Sequence, residues 1–107
     1  MLSSIDELRA SSAADTSRRA ELVRGLRAQT TETPLAARAR DSCARAYDLL
    51  NEANLLEAAL REQVGSGEKL DPVGLAARFR RAEEALGQSR GEMELCERAS
   101  TELRLRK

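Results

Sequence analysis

Residues 33–72, TPLAARARDSCARAYDLLNEANLLEAALREQVGSGEKLDP, hold one long helix between two helix-starting signals. Thr33-Pro34 sets a capping side chain before a proline at the first helical position, where the fixed φ helps and the missing N–H costs nothing. Asp71-Pro72 repeats the device, and Leu70 and Leu75 stand at the spacing of a hydrophobic staple across it. Gly65-Ser66-Gly67 ends the first of these helices, because glycine takes the left-handed conformation at little cost. A central helix over about 34–64 and a C-terminal helix over about 72–104 follow. The link between them is too short for anything but antiparallel neighbours.

Both segments carry the apolar spacing of a long seam. In the C-terminal helix Leu75, Phe79, Ala82, Leu86, Ser89, Met93, Cys96, Ser100 and Leu103 advance by fours and threes, a coiled-coil register with polar interruptions. The stripe of the central helix, from Leu35 through Ala39, Ala46, Leu49, Leu50, Ala53, Leu56 and Leu60 to Val64, is wider and suits more than one neighbour. Folding the chain symmetrically about residue 68 sets Leu60 near Leu75, Leu56 near Phe79, Ala53 near Ala82 and Leu49 or Leu50 near Leu86. Tyr47, Leu49, Leu56, Leu60, Leu75, Phe79, Leu86 and Met93 are the expected hairpin core. Tyr47 then falls opposite Ser89, with Gly87 and Gly91 clearing space for its ring; the plainer alternative is that these glycines interrupt the helix.

Residues 4–28 predict a weaker N-terminal helix. Ser4 and Glu7 have the spacing of a capping box, and Ile5, Leu8, Leu22, Val23 and Leu26 supply apolar positions. Continuing its seam meets Ser12, Asp15 and Arg19, so either its centre is weak or residues 11–17 break it. Folded back about residue 31, it would cover Leu55. The fold class expected is all-α: an antiparallel, coiled-coil-like hairpin completed to a three-helix bundle, in one domain over 1–107. A bare hairpin that recruits a second copy is the alternative.

Composition narrows the chemistry. Histidine is absent, which removes the commonest general base and the usual zinc and nucleophile partners. The carboxylates alternate with arginines on outer faces, as in Arg80, Arg81, Glu83 and Glu84, and read as solvated ion pairs. No catalytic residue, metal ligand or cofactor is assigned, and the chain is read as no enzyme. Residues 65–69, GSGEK, lack the glycine spacing, the hydroxyl residue after lysine and the preceding strand of a phosphate loop. Eighteen basic and 18 acidic residues balance overall, although residues 47–75 carry 6 acidic against 2 basic groups. With no net field and only Tyr47 and Phe79 as aromatics, Arg18-Arg19, Arg80-Arg81 and the tail 103–107 read as solvated faces, so neither nucleic acid nor membrane is an expected partner.

Cys43 and Cys96 are expected as small buried thiols. Facing helix axes usually lie about 8–10 Å apart, whereas bridging needs Cα atoms within roughly 7 Å. With no leader-like or membrane-spanning segment in the sequence, a cytoplasmic location is expected. The function expected is protein–protein interaction through helical faces, as an adaptor or assembly subunit; the alternative is a small chaperone for a secretion-apparatus or filament subunit. Leu22, Leu26, Leu55, Leu95 and Leu105 are the candidate partner-binding residues, and a homodimer is one arrangement they allow.

Overall fold

Thr33 and Asp71 start the two long helices as their sequence context predicts. In the computed structural model, which describes residues 1–65 and 71–106, Thr33 Oγ1 accepts from Ala36 N at 3.1 Å and Asp71 Oδ1 accepts from Val73 N at 3.2 Å. The helices that follow are α3 (Pro34–Gly65) and α4 (Pro72–Leu105), preceded by α1 (Leu2–Ala10) and α2 (Thr16–Arg27). Leu70, one half of the expected staple, and residues 66–69 lie outside the described residues. The described residues contain no strand. The fold is an all-α bundle dominated by the α3–α4 hairpin, 56 Å in its longest extent and 22 by 18 Å across.

The N-terminal helix is broken, as the weak centre of its sequence allowed. Ser11 leaves α1 in extended conformation, and Asp15 starts α2 by accepting from Arg18 N at 3.1 Å. The expected Ser4–Glu7 capping box does not form: α1 begins at Leu2 without a side-chain cap, and Ser4 instead accepts from the Gln29 side chain. Because the chain folds back at 11–15, α1 does not run on along the hairpin. Ile5 and Leu8 enter the same core as Val23 and Leu26, against Leu35, Ala39, Cys43, Ala46 and Tyr47 of α3 and Cys96 and Ala99 of α4. Leu55, which an unbroken helix would have covered, stays half exposed at 52%.

The hairpin register also differs from a fold about residue 68. Cys43 and Cys96 form a disulfide with their Cα atoms 4.6 Å apart, so the two helices are symmetric about the midpoint of 43 and 96, between residues 69 and 70. The free-thiol expectation was wrong because it assumed ordinary helix separation. Around the bridge, Ala39, Ala46, Ala99 and Ser100 are all buried, and side chains this small let two backbones approach far more closely than leucines would.

Tyr47 does not pack on a glycine gap. Gly87 and Gly91 are exposed, and a Cβ at either position would meet nothing within 4 Å. Nor do they interrupt α4, which runs unbroken from Pro72 to Leu105. The Tyr47 ring is buried in the bundle core, in the field of Arg9, Glu97 and Arg19, and burial pushes its phenol above the usual tyrosine range.

Candidate interaction surface

The core assembled by α1 and α2 uses α3 residues only from Leu35 to Leu50 and α4 residues only from Met93 to Leu103. Beyond them the hairpin continues as two helices without a third layer. There the seam is thin: Ala53, Leu60, Ala82 and Ala85 are buried, while Leu56, Leu75 and Leu86 are half-buried. A helix pair can bury only one stripe of each member, so larger side chains beside the seam remain in water. Phe79 is 48% exposed, and Val64 and Val73 are more exposed still.

One face of this distal half forms a groove of about 580 Å³. Buried Leu60 and Ala82 make its floor, and Val64, Phe79 and Leu86 make its walls. Glu57, Arg61 and Gly65 of α3 and Glu83 of α4 complete the lining. Apolar walls with a charged rim are the usual composition of a surface that takes up another helix.

Sequence reasoning assigned these residues only in part. Of the expected hairpin core, Tyr47 and Leu60 are buried, and Leu49, Leu56, Leu75, Leu86 and Met93 are half-buried. Phe79 is corrected: it is a groove wall, because no helix lies over the distal half to enclose it. Among the candidate partner-binding residues, Leu26 is wholly buried and Leu22 packs partly buried against the core. Both dock α2 on the hairpin, and Leu26 offers no free surface. Leu55, Leu95 and Leu105 are exposed; Leu55 lies on the distal half of α3 and the other two on the C-terminal part of α4, so they do not form one patch. Val64 and Val73 were missed as surface residues. The available signal was the length mismatch between α3 or α4 and the broken N-terminal segment.

The bundle end is closed by polar contacts. Arg9 pairs with Glu97 at 2.7 Å, which holds the Arg9 guanidinium above its ordinary value through their hydrogen bond. Arg104 pairs with Asp6, so the basic end of α4 is partly engaged within the chain. Arg19 is buried; its Nε donates to Ser11 Oγ at 3.2 Å, while Nη1 has no partner among the described residues, and desolvation lowers its pKa from the usual value. No described helix is long and apolar enough to cross a membrane. No family model, curated protein or solved structure matches this chain.

Proposed function

We propose that the chain is a non-enzymatic helical interaction module, an adaptor or assembly subunit that docks a helical protein surface through the distal half of its hairpin. The observation that supports this reading is the uncovered groove walled by Val64, Phe79 and Leu86 at the end of the hairpin that α1 and α2 do not reach. A large aromatic held at 48% exposure beside a charged rim is costly to solvate and rewarding to bury, which is the property of an interface anchor. Balanced charge and a scarcity of aromatic side chains support a protein partner over nucleic acid or a membrane surface.

The cytoplasmic setting was expected from the lack of a leader-like or membrane-spanning segment, and the Cys43–Cys96 bond weighs against it. Disulfides form and persist chiefly in oxidising compartments, which supports an oxidising setting for the working chain.

The test is site-specific photocrosslinking from position 79 in the natural host, compared with crosslinking from exposed Arg24 on α2. A discrete protein adduct from position 79, absent from position 24 and lost when Val64→Asp is added, is the expected result. Equal or absent labelling at both positions overturns the reading.

A further inference from the structure

The charges on the distal hairpin are arranged so that the groove is complementary to itself. On α3, Glu57 and Arg61 are opposite in sign, one helical turn apart, and both line the groove. On α4, Glu83 lines it as well, and exposed Arg80 lies one turn before Glu83, on the neighbouring strip of the same helix. None of these four residues takes part in an ion pair among the described residues. The first pair is centred on residue 59 and the second between 81 and 82.

These two centres sit at nearly the same height along the hairpin. The Cys43–Cys96 bridge sets residue 59 of α3 level with residue 80 of α4. The displacement of the second centre from that level is under two residues, or about 2 Å at the rise of an α-helix. A single two-fold axis perpendicular to the hairpin therefore passes close to both.

We propose that the occupant of the groove is a second copy of this chain, packed hairpin on hairpin with the two copies reversed, to form an intermolecular four-helix bundle. This rests on the interaction reading above and names its partner. About that axis Glu57 faces Arg61 of the second copy, and Arg61 faces its Glu57. Arg80 and Glu83 exchange partners in the same way. Phe79 comes to the level of Ala82 and Glu83 of the second copy, which supplies the third and fourth helices that the distal half lacks. An isologous contact requires each residue type to find its complement in the same patch, and opposite charges spaced one turn apart on one wall meet that requirement in an antiparallel pairing.

Sedimentation equilibrium of the oxidised full chain tests the pairing, with circular dichroism to verify that each variant stays helical. The wild type is expected to be a reversible dimer. Glu57→Arg and Arg61→Glu each place like charges across the axis and should weaken self-association roughly tenfold. An equimolar mixture of the two variants should regain wild-type association as a heterodimer, because each then presents the charge the other faces. A wild type that is monomeric at all concentrations, or variants that dimerise unchanged, or a mixture no tighter than its components, overturns the proposal. A monomeric wild type that still gives a protein adduct from position 79 overturns the two-copy pairing alone and leaves the interaction reading standing.

Discussion

Cys43 and Cys96, 53 residues apart in sequence, are joined across the α3–α4 seam and have no solvent exposure. The bond ties the two long helices at the level where α1 and α2 dock, and the loop it closes, residues 44–95, contains the distal half of the hairpin, so it restrains that half in the unfolded chain. Loop closure over this separation gives an upper figure of about 4 kcal/mol. Replacing both cysteines by alanine should therefore lower unfolding free energy by about 3 kcal/mol, measured by urea denaturation of the oxidised chain against the double variant. Thiol titration of the unfolded, unreduced protein should find no free thiol, and two after reduction.

How far the fold is legible in the sequence follows from which forces set each part. The starts of α3 and α4 are local events: Thr33 and Asp71 cap their own helices within three residues, so propensity and capping chemistry suffice to find them. The register is non-local. It depends on how closely two helices approach, and the small side chains at Ala39, Ala46, Ala99 and Ser100 permit a 4.6 Å Cα separation at the disulfide that leucine-sized spacing would forbid. Phe79 reads as core because its heptad position is apolar; only the break at residues 11–15 reveals that no third helix reaches it. The groove was hidden for the same reason, since it is defined by the extent of α1 and α2 and not by any motif of its own.

Gly87 and Gly91 occupy exposed positions inside α4, with open space around the Cβ that each lacks. Glycine there surrenders backbone freedom on folding and gains no contact in exchange. Gly87→Ala and Gly91→Ala should each raise stability by about 0.5–1 kcal/mol, read as an upward shift of the urea midpoint with unchanged helical content at saturation. Had the Tyr47 ring filled the space beside them, the same substitutions would be destabilising, so the sign of the change checks the corrected packing.

Arg19 is a buried cation without a carboxylate partner among the described residues, held by Ser11 Oγ at 3.2 Å and more loosely by the Ser11 carbonyl at 3.5 Å. One of its nitrogens is left without a hydrogen bond in the interior, and a buried charge with incomplete partners is commonly worth less than an apolar side chain of similar length. Arg19→Met should raise thermal stability, by about 1 kcal/mol. Arg19→Ala should lower it by a similar amount, because truncation leaves space where the side chain's methylenes packed. Scanning calorimetry of the two variants separates the charge from the volume.

Tyr47 links the core to alkaline stability. Burial raises its phenol above the ordinary tyrosine range, with Glu97 acting in the same direction and the nearby Arg9 and Arg19 guanidinium groups opposing it. A raised folded-state value means the neutral form is favoured in the native protein more than in the unfolded chain. The associated stability is fully present below the unfolded tyrosine value and is lost as pH rises through the folded one. Arginine does not titrate in that window, which leaves the phenol as the group responsible within this cluster. Tyr47→Phe should match the wild type closely near neutral pH, then hold its urea midpoint better than the wild type as pH rises from about 9 to about 11. Equal alkaline losses in the two proteins would place the titrating group elsewhere and remove Tyr47 from the interior that α1, α3 and α4 share.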